Sequence, residues 1–165
     1  MEQRVFSLLV DNTFGVLSRV AGLFSRRGYS IDSLTVGETT NPKYSRMTVV
    51  ASGDELILDQ IMKQLEKLVD VIDIKELEPN KSVRRELILV KVRTTKESRQ
   101  AIISVADLFR AKIIDVAMNS LVIELTGEQS KIDAFIELLE GYEILELART
   151  GITGLSRGDQ DVRFF

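Results

Sequence analysis

The 165-residue chain contains no cysteine, no histidine and no tryptophan. Without cysteine there can be no disulfide, no thiolate nucleophile and no cysteine-bound zinc. Without histidine the Ser-His and Cys-His catalytic pairings lack their base, and acid–base work falls to carboxylates, lysine or tyrosine. Neither sign of charge dominates: 22 basic residues against 25 acidic ones leave a net charge of −3. That balance argues against a nucleic-acid partner, because phosphate backbones are held by an excess of Lys and Arg. No apolar run approaches the roughly 18 residues of a membrane span. No Asp/Glu loop has the spacing of a Mg²⁺ or Ca²⁺ site, so no metal is expected. The start, Met1-Glu2-Gln3-Arg4, runs straight into a strand pattern; no secretory signal is expected and a cytoplasmic address is the default.

What is present suits a globular protein. Hydrophobic residues make up 44% of the chain and charged ones 28%, a composition that can bury a core. The length allows one ordinary domain or two small ones. The two prolines, Pro42 and Pro79, fall between periodic stretches and mark connections. Pro79 lies in Glu78-Pro79-Asn80-Lys81-Ser82, which divides the chain into a first domain over 1–78, a linker over 79–83 and a second domain with a tail over 84–165.

Each half reads strand, helix, strand, strand, helix, strand. In the first half the pattern predicts strands over 4–10, 30–38, 45–52 and 71–78, and helices over 15–27 and 54–68. Val16, Leu17, Val20, Leu23 and Phe24 form a helical stripe, and Arg26-Arg27-Gly28 carries the cations and glycine of a helix end. Asp54 is the expected N-cap of the second helix. In the second half strands are predicted over 85–92, 112–116, 121–125 and 144–148, with helices over 97–109 and 130–139. The fold class is therefore α+β: two ferredoxin-like βαββαβ domains, each an antiparallel four-stranded sheet with two helices on one face. About 80 residues bury only a modest core, so each half is expected to lean on a neighbour, and a dimer is expected.

The most informative local feature is Asp11-Asn12-Thr13-Phe14-Gly15-Val16-Leu17. It follows the first apolar strand and opens the first helix. Glycine at that turn lets an anionic group approach backbone N–H groups that have no partner inside the helix, where the helix dipole also favours negative charge. A small-ligand sensor fits this arrangement better than an active site. Asn12 also reads as an ordinary helix cap, and Gly15 as a structural turn residue.

Residues 12–19, the run Gly22-Leu23-Phe24-Ser25-Arg26-Arg27-Gly28-Tyr29 and the run Ile31-Asp32-Ser33-Leu34-Thr35-Val36 resemble the amino-terminal ACT domain of acetolactate (acetohydroxyacid) synthase small subunits. Ser45-Arg46-Met47-Thr48 and residues 64–71 continue the likeness. Residues 85–92, Phe109-Arg110-Ala111-Lys112-Ile113-Ile114-Asp115-Val116 and the tail 148–159 are similar to the second half of the same family.

The resemblance implies a non-catalytic regulatory subunit in branched-chain amino acid biosynthesis. It would activate a large catalytic subunit and confer feedback inhibition by valine, or by leucine or isoleucine. Thiamine diphosphate, Mg and, as a further candidate, FAD would belong to that catalytic partner, and no cofactor to this chain. The effector would sit between two ACT domains of a homodimer, without nucleic acid or membrane. The carboxylate would meet the N–H groups of Gly15, Val16 and Leu17, with Asn12 offering its amide. Backbone acceptors at Ser30 and Ile31 of the partner chain would take the ammonium, and Leu17 and Ile31 the apolar group. The chain departs from the family pattern at Phe14, where Pro or Ser is usual, and at Ser30, where Asn is usual. Other readings stay open: a free-standing amino-acid sensor, or a small acyl-phosphate hydrolase using the Gly15 turn with Arg19. The tail 151–159 is expected to dock or order rather than grip phosphate, since no strand–glycine–lysine–helix context surrounds it.

Overall fold

The computed structural model describes residues 1–159, and they divide into two compact units. Among the described residues the first comprises 1–84 together with 152–159; the second spans residues 85–151. Each unit is a βαββαβ sheet-and-helix layer.

In the first unit the elements are β1 (Glu2–Asp11), α1 (Val16–Arg27), β2 (Ile31–Glu38), β3 (Tyr44–Gly53), α2 (Glu55–Glu66) and β4 (Val71–Glu76). The sheet order is β2-β3-β1-β4, with β1 antiparallel to both β3 and β4. Strand alternation sends Phe6, Leu8 and Val10 of β1 and Met47, Val49 and Ala51 of β3 towards the helices. There they pack with Val16, Val20, Leu23 and Phe24 of α1 and with Leu58, Ile61 and Leu65 of α2. Asp54 caps α2 by accepting the Ile57 N–H at 2.8 Å. Gly28, in the left-handed conformation, ends α1. The helical stripe is narrower than the sequence suggests, for Leu17 is 48% exposed. Leu17 sits at the margin of the apolar arc, whose centre is buried as Val16, Val20, Leu23 and Phe24.

The second unit holds the bulk of β5 (Ser82–Arg93), then α3 (Lys96–Leu108), β6 (Lys112–Val116), β7 (Ser120–Gly127), α4 (Gln129–Leu138) and β8 (Ile144–Arg149). Its order, β6-β7-β5-β8, repeats that of the first sheet. Ile88, Val90 and Val92 pack under Ile102 and Ala106 of α3 and Ile132 and Phe135 of α4. Phe109 meets Phe135 edge-on at 5.3 Å. Arg149 grips the buried Glu86 through two hydrogen bonds of 2.8 Å, a fork geometry that compensates a charge taken from water.

The tail departs from the sequence expectation. The sequence pattern puts it with the second half as an extension, but it returns to the first unit and forms a ninth strand, β9 (Thr153–Ser156), paired with β5. Ile152, 3% exposed, joins Val5, Val50 and Leu77 in a separate apolar cluster. Val5 and Val50 alternate with the helix-facing residues, so this cluster lies on the outer face of the sheet. The approach is close: a Cβ on Gly154 would stand 2.7 Å from the Val83 carbonyl oxygen, which restricts that position to glycine. The linker is likewise shorter than read, because β5 already starts at Ser82.

Replacing Ile152 by alanine should destabilise the full chain by about 2 kcal/mol, the lower range for a buried Ile→Ala change with few neighbours. Equilibrium denaturant unfolding checks this. A loss below ~0.5 kcal/mol, typical of an exposed position, would remove Ile152 from the core.

Candidate functional site

The first unit's helix start is built by a turn that no ordinary side chain caps. Gly15 is the N-cap of α1 at φ +83°, in the left-handed region, and no side-chain cap bond is made there. The first helical bond is Arg19 N–H to the Gly15 carbonyl at 2.9 Å. The N–H groups of Val16, Leu17 and Ser18 therefore face outward without a helical partner. No acidic residue occupies the first turn, so nothing there repels an anion.

Asn12 does not cap the helix. Its side-chain N–H donates to the Pro42 carbonyl at 2.9 Å and to the Glu38 carboxylate at 3.3 Å. Its own backbone N–H donates to the Lys43 carbonyl at 2.8 Å. Asn12 thus ties the helix start to the β2–β3 turn through its side-chain nitrogen, which leaves the amide oxygen as the atom not used in these bonds. That oxygen is an acceptor and suits an ammonium rather than a carboxylate.

The surface between these groups is open. Phe14 is fully exposed and Leu17 about half exposed, two apolar side chains beside unsatisfied backbone donors. Val16 is buried at 4% and can offer only its N–H. Asn12, Gly15, Val16 and Leu17 are thus brought together at one end of the sheet. Ser30 and Ile31 are not with them. Ile31 pairs with Ala51 of β3, whereas the chain before Asn12 pairs with Tyr44. Seven residues of strand separate those positions, about 23 Å at a strand's rise. Within one chain the six residues make no single site.

Two residues at the helix start escaped the sequence reading of the sensor. The Arg19 guanidinium lies over Gly15, where a Cβ would come within 2.8 Å of it. It also donates to the Phe14 carbonyl at 3.3 Å. Its fork grips Asp70, just before β4, at 2.5 and 3.0 Å. Asp70 is 7% exposed, and its own carbonyl accepts the Asp11 N–H at 2.9 Å. The Arg19 hydrogen bonds hold the Asp70 carboxyl below the usual aspartate range. The same pairing raises Arg19 above its ordinary value. A cation therefore stands beside the free N–H groups, in position to meet a second carboxylate. Fifty-one residues separate the pair, and only the fold joins them.

Comparison with known proteins agrees across both units. Residues 6–73 match the model of an AHAS small subunit-like ACT domain, and residues 85–158 match the small subunit of acetolactate synthase. The chain is 51% identical over 160 residues to a probable acetolactate synthase small subunit of Methanothermobacter thermautotrophicus, covering 96% of this chain and 95% of that one. It is 46% identical over 162 residues to the isozyme 3 small subunit of Salmonella typhimurium, covering 98% and 99%. The crystal structure of an acetolactate synthase small subunit from Thermotoga maritima superposes with a TM-score of 0.88 at 42% identity, over 97% of this chain and all of that one.

The Arg19–Asp70 pair generates a prediction with a defined pH window. A carboxyl whose folded pKa is depressed contributes stability above its unfolded value, near 3.9 for aspartate, and loses it as pH falls through the folded value. Asp70→Asn should therefore be less stable than the natural chain at pH 7. The gap should close progressively in denaturant midpoints measured below about pH 4. A gap that persists unchanged into that range would mean that Asp70 acts through something other than its charge.

Proposed function

Since the chain belongs to the acetolactate synthase small-subunit family and carries its ACT domain, we propose that it activates a catalytic subunit and makes that subunit sensitive to valine or another branched-chain amino acid. As a non-catalytic regulatory subunit it leaves the condensation of keto acids to its partner, where thiamine diphosphate and Mg supply the chemistry. Its place of action on this reading is the cytoplasm; among the described residues no helix is long and apolar enough to cross a membrane.

The observation that carries the reading is the uncapped helix start at Gly15 beside Arg19. A free amino acid offers a carboxylate for the Val16 and Leu17 N–H groups and for the guanidinium edge, a charge-assisted arrangement. Its ammonium suits the Asn12 amide oxygen, and its branched side chain the exposed Leu17.

A second chain would complete this site. Strand β2 is an edge of the first sheet, and an edge presents unpaired backbone groups. Two β2 edges paired antiparallel about a two-fold axis, centred on the strand, would set Ile31 of one chain opposite Glu38 of the other. Glu38 is the residue that accepts from Asn12. The 23 Å that separates Ser30 and Ile31 from Asn12 within one chain would thus be closed by symmetry, and the open surface around Phe14 and Leu17 would be covered. Effector binding across that seam favours one mutual arrangement of the two ACT domains, and the catalytic subunit senses the change. A coupling of about 1–3 kcal/mol would give a response of roughly 5–150-fold.

Gly15→Asp should abolish feedback while sparing activation. It places a carboxylate where the ligand's must sit, at a φ that side chains rarely adopt. Acetolactate formation by the catalytic subunit, measured with and without the variant across a valine titration, checks this; an unchanged valine response would move the site elsewhere. Asn12→Ala should weaken valine binding by about 1 kcal/mol, one lost hydrogen bond, read by calorimetric titration. An unchanged affinity would exclude Asn12 from the contacts.

A further inference from the structure

The outer face of the first unit's sheet, opposite its helices, holds a basic pocket that effector binding does not use. Strands β1, β3 and β4 contribute Ser7, Arg46 and Lys75, and the returning tail contributes Ser156, Arg157 and Gly158 around a cavity of about 230 Å³. That is smaller than the roughly 300–1,000 Å³ of a drug-sized ligand's pocket, and it suits a small ion or a single charged headgroup.

The charges are unbalanced. Among the described residues Arg46, Lys75 and Arg157 make no ion pair, in contrast to Arg4, which meets Asp59 at 2.7 Å, and to Arg19 with Asp70. Arg46 donates to the Ser7 hydroxyl at 3.2 Å. Arg157 donates to the Ser82 carbonyl at 3.2 Å, which steers its guanidinium without neutralising it. The facing carboxylate is Asp73: it and Arg46 flank Leu9 from the two neighbouring strands. Three cations against Asp73 and against Asp159, which follows the lining Gly158, leave an excess of one positive charge. Burial lowers the Arg46 pKa, and Asp73 only partly opposes that effect. The carboxylates of Glu76 and Glu78 are engaged elsewhere, with Arg4 at 3.7 Å and with Lys81 at 3.0 Å. The fully buried Thr48, opposite Ser7 in the sheet, has a hydroxyl with no partner, a further sign that this face is short of polar partners.

We infer that this pocket binds a phosphate group, as a second small-molecule site apart from the helix start. Two hydroxyls, two guanidinium groups and an ammonium converge from the sheet and from the tail. That number of donors matches an anion with four oxygens and a charge near −2 better than a carboxylate with two oxygens and a charge of −1. Free phosphate and the phosphoryl group of an organic metabolite share this chemistry.

Calorimetric titration of the full chain with inorganic phosphate and with phenyl phosphate, at constant ionic strength to fix screening, tests the inference and separates the two sources. One saturable site per chain is expected for at least one of them, and which one binds identifies the source. Lys75→Gln and Arg157→Gln should each weaken it about tenfold, the loss of one charge-assisted contact. Lys67→Gln, an exposed lysine at the end of α2, should leave it unchanged. No saturable binding of either probe would overturn the inference. So would binding indifferent to both pocket variants, or equal competition by acetate.

Discussion

Six consecutive residues of β1, Val5 to Val10, are buried, and a strand so placed needs cover on both of its faces. The helices supply one cover, over Phe6, Leu8 and Val10. The other face cannot stay bare without exposing apolar area at about 25 cal/mol per Å². There the tail returns and sets Ile152 against Val5, Val50 and Leu77. Much of the first unit follows from that need. Gly154 must be glycine because the returning chain lies so close to Val83. Ser7, between Val5 and Leu9 on the same face, then looks into the basic pocket that the tail walls off.

The two units solve one packing problem with unequal means. Both use the same strand order and both lay two helices on one face. The first opens its leading helix with a bare glycine turn, while the second opens α3 with Thr95 and Ser98 in a reciprocal capping box. A capping box satisfies two of the donors that an anion would otherwise seek. The contrast leaves backbone donors free at the start of α1 and satisfied at the start of α3, although the two helices occupy equivalent places in the fold.

The repeated βαββαβ order was legible because helical stripes and strand runs are long enough for their periods to count. The tail was not. Four residues of strand broken by Gly154 have no measurable period, and the continuous apolar run of β1 does not say that its two faces have different covers. Leu17 read as core because it falls within the apolar arc, but it lies at the arc's margin and not at its buried centre. The turn at Gly15 was legible as a turn, since a glycine between a strand and a helix marks a backbone that leaves the ordinary φ range, as its φ of +83° does. Arg19 and Asp70 were invisible as a pair because their union depends on β4 lying beside β1. Ser30 and Ile31 stood close to Asn12 only in a reading that borrowed them from a second chain.

The return of the tail also sets an order of events during synthesis. The second unit is a continuous stretch, residues 85–151, inserted between two parts of the first. On the ribosome, where domains generally fold as they emerge, the first unit leaves the tunnel early but lacks Ile152 until the whole second unit has been made. For that interval Val5, Val50 and Leu77 have no lid. The unit translated first is thus the last to be sealed, and its outer face is the surface on which a chaperone, or a premature partner, would find exposed apolar side chains.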